Sequence, residues 1–225
     1  MIRDLWYSMM RGTALDRALL IKRRAPLWKN TGVIFIHVPK AAGTSVSQAL
    51  YGRFLGHMRA SDVERWAPRA ARELPMVAIA RNPWDRLVSA YRFVRRGHGV
   101  GGPQAGGVWR PEQYRIPEFE SFERFVLDWL SARNLRSLDY VFHPQSLFVC
   151  DSEGEILVDH LGRFEDLYPT YKFLREVVPG LPEIGKSNRS GAFVDYRGFY
   201  TDELARRVGE IYHDDVRNLN YSFDE

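Results

Sequence analysis

Ile34-Phe35-Ile36-His37-Val38-Pro39-Lys40-Ala41-Ala42-Gly43-Thr44-Ser45 is the stretch on which the fold turns, because it reads in order as a buried strand, a tight loop and a helix start. Apolar residues of high strand propensity lie within Val33 to Val38, and Pro39 stops the strand. Gly43-Thr44-Ser45 then opens a helical pattern that places Val46, Ala49, Leu50 and Phe54 on one face, and Ser45-x-x-Gln48 fits a capping box. Unpaired N–H groups at such a start, the helix macrodipole and the charge of Lys40 together predict a site for an anion the size of phosphate or sulfate.

The same grammar recurs further on. Met76-Val77-Ala78-Ile79-Ala80 is a second apolar run, ended by Arg81-Asn82-Pro83 ahead of a helix carrying Trp84, Leu87, Val88, Tyr91 and Val94. Ser146 to Cys150 reads as a third buried strand, and Ile156-Leu157-Val158 and His160 to Phe164 as further strand pieces. Helical patterns start at Ser61-Asp62 and run over 121–130, 168–178 and 201–212, with Asp202 and Glu203 in the first turn of the last. This alternation predicts one α/β domain over residues 31–225, a parallel sheet covered by helices on both faces. Ligands of such sheets bind outside the carboxyl ends of the strands, where Lys40 and Arg81 both stand. Residues 1–30 read as an N-terminal amphipathic helix, with Leu5, Met9, Leu15, Leu19 and Leu20 on one face, followed by a basic linker containing Pro26. Six glycines between Gly97 and Gly107 predict a loop able to close over a substrate.

Composition narrows the function classes. The 225 residues are 45% hydrophobic and 13% aromatic, which excludes disorder. Charges interrupt Met1 to Leu20 and no apolar run is long enough to span a bilayer, so neither a signal peptide nor a transmembrane anchor is expected; the amphipathic helix leaves peripheral membrane contact open. Cys150 is the only cysteine and reads as a small buried hydrophobe. A net charge of +4 suits anionic ligands and falls short of the basic stripe expected for nucleic acid. Oligomeric state is not legible.

The phosphate loop of nucleotide hydrolases places its lysine directly before the helix-starting Ser or Thr. Here the order is inverted, Lys40 preceding Gly43-Thr44-Ser45, and the second strand ends in Arg81 rather than an acidic residue that helps hold magnesium. The pattern is therefore P-loop-like, suits an anion without a metal, and fits a nucleotide or small-molecule kinase poorly. A non-catalytic nucleotide-binding module is the other rival.

Pro39 to Ser45, followed by Ala80-Arg81-Asn82-Pro83-Trp84-Asp85-Arg86-Leu87-Val88-Ser89-Ala90-Tyr91, resembles the paired signatures of sulfotransferases, particularly the carbohydrate group. The resemblance continues through His143-Pro144-Gln145, Gly162 to Leu167 and the tail residues Tyr200, Tyr212, Asp215 and Tyr221, covering roughly residues 32–223. It implies a 3'-phosphoadenosine 5'-phosphosulfate (PAPS) donor, with 3'-phosphoadenosine 5'-phosphate (PAP) as product, and a carbohydrate or glycoconjugate acceptor. By that resemblance Lys40, Ala42, Gly43, Thr44 and Ser45 grip the phosphosulfate, Arg81 and Ser89 the 3'-phosphate, and the polar loop Lys186, Ser187, Asn188 covers the nucleotide. A guanidinium can fork two N–H bonds onto a phosphate, and a Ser two turns into the following helix can add another donor. Unlike Golgi members of the family the chain shows no anchor, which implies a cytoplasmic enzyme, or a lumenal one if a leader precedes it.

The moving sulfuryl group carries one negative charge, so no metal is expected; a base, an aligned acceptor and charge stabilisation at the leaving oxygen suffice. Among six histidines, Gly56-His57 resembles the position of the family's basic histidine, with His143 in reserve, while His37 reads as core or sheet face and His98, His160 and His213 as incidental. His143 and Gln145 are candidates for the acceptor cleft, and Trp109 and Tyr114 for stacking on sugar faces. Arg163 and Glu165 read as a structural pair.

Overall fold

The computed structural model describes residues 13–97, 108, 111–182, 184 and 195–224. Three parallel strands, β1 (Ile34–Ile36), β2 (Met76–Ala80) and β3 (His160–Arg163), lie side by side in that order. Ile34 registers with Met76, and Ala80 with Arg163. Helices flank the sheet: α1 (Ala14–Thr31), α2 (Gly43–Tyr51), α3 (Ala60–Trp66), α4 (Arg69–Arg72), α5 (Pro83–Arg95), α6 (Phe122–Arg124, continuing as a π-helix over Phe125–Leu130), α7 (Ser146–Val149), α8 (Tyr168–Val177), α9 (Asp202–Ile211) and α10 (His213–Asn218). The α/β class read from the sequence is what the chain adopts.

β1 and β2 are buried along their whole length, as continuous apolar runs in a covered parallel sheet should be. The outer edge of β1 is closed by one side chain from the helix it feeds. Phe35 N–H donates to the Tyr51 hydroxyl at 2.9 Å, and that hydroxyl donates to Val33 O at 3.0 Å, so two edge groups are satisfied without a fourth strand.

Three local readings change. Residues 22–31 are helix rather than linker: Ile21, Ala25 and Trp28 form a buried stripe that carries α1 through Pro26, and Gly32 in the left-handed region closes it on Trp28 O. Leu15 and Leu19 are exposed, so the inward face lies a residue or two off the one expected, and the Leu5 and Met9 part of that helix lies outside the described residues. Ser146 to Cys150 is not a strand, because the buried Asp215 carboxylate accepts from Gln145 N and Ser146 N at 2.8 Å each and starts the short helix α7. The expected capping box on α2 does not form either. The helix begins at Gly43, two residues before Ser45, and the Gln48 amide donates forward to Gly52 O.

Cys150 is buried, and burial raises its thiol to about 11, which keeps it inert. Among the described residues no helix is long and apolar enough to cross a membrane, and no group of acidic, histidine or cysteine side chains is placed to hold a metal ion.

Candidate active site

The loop between β1 and α2 holds a backbone conformation that its residues do not favour. Lys40 (φ 68°) and Ala42 (φ 59°) both lie in the left-handed region, where each non-glycine residue costs on the order of 1–2 kcal/mol. Left-handed residues alternating with their neighbours turn successive N–H groups inward, an anion-binding concavity. Ala42 occupies the N-cap position and has no side-chain oxygen, so nothing from its own side chain covers the N–H groups of the first turn. Thr44 is exposed and Ser45 half-buried beside them.

Lys40 is half-buried, with Nζ 4.0 Å from the centre of the Phe93 ring. Burial, then the charges of Arg81 and Arg96, lower its ammonium to about 8. Ser89 stands four and seven residues before Phe93 and Arg96 on one side of α5 and its end, and its half-buried hydroxyl makes no hydrogen bond among the described residues.

Arg81 leaves the end of β2 tightly held. Its Nε and Nη2 donate to Asp85 at 2.7 and 2.8 Å, its Nη1 donates to Lys40 O at 3.0 Å, and its guanidinium stacks 4.1 Å from the Phe164 ring. The side-on fork expected to meet a phosphate is therefore occupied by Asp85, and two of the five N–H donors remain for a ligand. Asn82 is fully buried: its side-chain oxygen accepts from Trp84 N at 3.0 Å, and its own N–H donates to Glu165 Oε1 at 2.6 Å. With Pro83 at the first helical position, these bonds fix where α5 begins. Glu165 also accepts from Tyr221, whereas Arg163 donates to Leu219 O and Asn220 O; each is structural, but with separate partners.

Gln145 is not in a substrate cleft. It is wholly buried, and its amide accepts from Arg81 N at 2.9 Å while donating to Arg81 O at 2.7 Å, so it fixes the backbone of the arginine. Tyr114 is also withdrawn from solvent: its hydroxyl donates to Asp139 and its ring packs among Phe119, Trp129 and Phe142. His143 is 3% exposed; Nε2–H donates to Leu138 O at 2.9 Å, and Nδ1 is sealed from solvent, so neither nitrogen is free to meet an acceptor. Burial, only partly offset by that hydrogen bond, lowers its imidazole to about 4. Arg86 holds this segment by donating to Val141 O and His143 O, 3.9 Å from Asp215.

His57 differs from His143 in one decisive respect. Its Nδ1 lies 2.9 Å from His37 O, and since a carbonyl can only accept, Nδ1 carries the proton and Nε2 keeps the lone pair. Burial lowers the ring to about 4, against the raising effect of the His37 carbonyl, so it is neutral near pH 7. Nε2 has no hydrogen-bond partner among the described residues. The ring is surrounded by Phe54, His37 and the 44%-exposed Tyr140 at 5.3, 4.7 and 5.7 Å. His37 joins the His57 ring to the β1–α2 loop, for its own ring lies against Gly43 so closely that a Cβ there would stand 2.1 Å from Cδ2.

A neutral base with one free nitrogen, beside an uncapped helix start and a half-buried lysine, is the equipment of group transfer from an anionic donor. The sulfotransferase family profile matches residues 28–222. The chain belongs to the sulfotransferase family. No curated protein and no solved structure matches it. For this sulfotransferase the family assignment makes sulfuryl transfer the general activity. Trp109, Lys186, Ser187, Asn188 and His98 lie outside the described residues. Missed in the sequence were Asp85, Phe93, Arg96, Phe164 and Tyr140; Asp85 alone left a local signal, a carboxylate four residues after Arg81.

Proposed function

We propose that this sulfotransferase moves a sulfuryl group from PAPS to a hydroxyl of a carbohydrate or glycoconjugate, without a metal, leaving PAP. The observation that carries the reading is the His57 tautomer, with Nε2 free next to the anion loop. The donor supplies the sulfuryl group and a bisphosphate leaving group. Lys40 and the N–H groups of Gly43, Thr44 and Ser45 hold the phosphosulfate and stabilise charge at the leaving oxygen. The remaining donors of Arg81 and the Ser89 hydroxyl take the 3'-phosphate, with Lys186, Ser187 and Asn188 assigned to the nucleotide by resemblance. His57 Nε2 accepts the acceptor's proton, and Tyr140 offers the exposed aromatic face for a sugar that Tyr114 does not.

Incubation with sulfur-labelled PAPS and a panel of oligosaccharides, lipids and phenols tests this. Label should pass to an oligosaccharide in the presence of a chelator, and Lys40→Ala should abolish transfer. His57→Ala should still bind PAP while transferring about 10²- to 10⁴-fold more slowly. An unchanged rate in either variant would remove the role given to that residue, and label found only on lipids or phenols would overturn the carbohydrate acceptor.

A further inference from the structure

His37 is a buried titratable side chain that the scheme above leaves unused. The residue is 5% exposed, and its Nδ1 is sealed from solvent with no hydrogen-bond partner. The other edge of the ring faces the anion loop: Nε2 lies 2.6 Å, and Cδ2 2.1 Å, from where a Cβ on Gly43 would stand. Gly43 opens α2, a nine-residue helix whose N-cap residue contributes no side-chain bond. An unpartnered polar ring is thus aimed at the start of a helix that already presents free N–H groups.

The position of the ring is tightly set. It packs edge-on to Phe54 at 5.0 Å, tilts against His57 at 4.7 Å and meets Phe35 at 6.2 Å. Burial, with His57 and Lys40 nearby, drives the imidazole well below its ordinary value, so it carries one proton rather than two. That proton has two places to go. At Nδ1 it has no acceptor, whereas at Nε2 it lies beside the loop where an anion's oxygen can take it.

We propose that His37 is a further donor-binding residue, whose neutral Nε2–H donates a hydrogen bond to an oxygen of the phosphosulfate held by the Lys40–Ser45 loop. No bond is made or broken at His37. A neutral donor there adds a directed bond without a further charge beside Lys40, Arg81 and Arg96. The same residue then serves both halves of the reaction, its carbonyl setting the tautomer of His57 and its ring touching the donor. The inference rests on the donor reading of the loop.

The test uses the full chain with 15N-labelled imidazoles, titrated with PAP and followed by proton–nitrogen correlation spectroscopy. The His37 resonance is assigned by its loss in His37→Asn. His37 should already be the Nε2–H tautomer in the free protein, and its Hε2 should move downfield by about 1 ppm or more as a charged oxygen accepts it. Calorimetry under the same conditions separates two failures. If PAP does not bind, the donor reading falls; if PAP binds in a Lys40-dependent way while the His37 signals stay put, or if Nδ1 carries the proton, this inference alone falls. In turnover, His37→Leu should lower kcat/KM for the donor on the order of 10²-fold with acceptor KM unchanged, and His37→Asn, which keeps an N–H donor, should recover part of it. Equal losses in the two variants would overturn the proposal.

Discussion

Replacing Gly43 with alanine tests the geometry that ties the anion loop to the base. The new Cβ would stand 2.1, 2.6 and 2.7 Å from Cδ2, Nε2 and Cγ of His37, and ordinary contact begins at 3.4 Å, so the ring must retreat by about 1.3 Å. Phe54 and His57 stand behind it at 5.0 and 4.7 Å between ring centres, which leaves little room. Overpacking of this kind costs about 1–3 kcal/mol, and in a chain of this length each kcal/mol lowers the melting temperature by about 2–4 °C. Gly43→Ala should therefore melt about 2–12 °C lower and bind PAP more weakly. Gly198→Ala, where nothing lies within 4 Å of the new methyl, should shift the melt hardly at all. Thermal melts of Gly43→Ala, His37→Ala and the double variant complete a cycle. Once the ring is gone the alanine at 43 should cost almost nothing, giving a coupling of at least 1 kcal/mol. Strict additivity of the two changes would refute the packing argument and, with it, the link between loop and base.

Lys40 lowered to about 8 predicts that kcat/KM for the donor falls about tenfold per unit above pH 8, and that Lys40→Arg removes this limb from the profile even if it lowers the rate. His57 and His143, both lowered to about 4, bind fewer protons folded than unfolded between roughly pH 4 and 6.5. Stability should thus rise with pH across that window and fall on acidification, each ring accounting for about 2 kcal/mol at pH 5 before coupling; melts that do not change between pH 7 and 5 would contradict this. Asp215→Ala strands Arg86 in the core and uncaps Gln145 and Ser146, and should cost about 3–5 kcal/mol in chemical denaturation. Gly162→Ala would bring a methyl to 1.7 Å from Thr170 Oγ1 and should destabilise the β3–α8 contact, with recovery in the Gly162→Ala/Thr170→Ala double variant.

What the sequence made legible was local. β2 and α5 fall where the apolar run and Pro83 put them, and the β1–loop–α2 unit follows from Pro39 and Gly43. The errors share a cause in contacts distant along the chain. Ser146 to Val149 has the composition of a strand but is helical because Asp215, some seventy residues away, caps it. Gln145 looks like a sugar-binding amide until the backbone of Arg81 fills both ends of it. His57 leads His143 in the sequence by resemblance alone; in the structure each ring bonds a backbone carbonyl, His37 O or Leu138 O, and it is the sealing of His143 Nδ1 that separates them. The left-handed residues Lys40 and Ala42 gave no signal, since glycine is what that backbone usually announces.

The loop between β1 and α2, with the residue that leads into it, gathers several unfavourable arrangements. Two non-glycine residues are left-handed, Lys40 is held among Arg81 and Arg96 with its ammonium weakened, and His37 Nδ1 has no partner. Around the loop, the buried side chains of Asn82, Gln145 and Asp215 are all hydrogen-bonded. Strain and unpaired polar groups also occur elsewhere, at Asn220 and at Trp28 Nε1, Arg86 Nε and His143 Nδ1, but only this loop gathers them beside a cluster of cations, which is what a functional site would show. The proposed anion would suit such a loop, because it would attract both guanidinium groups and the ammonium at once and offer acceptors to inward N–H groups. Asp85 has a definite place: it pairs with Arg81 and leaves two of the five guanidinium N–H donors unengaged, which would hold the arginine in position for the proposed donor.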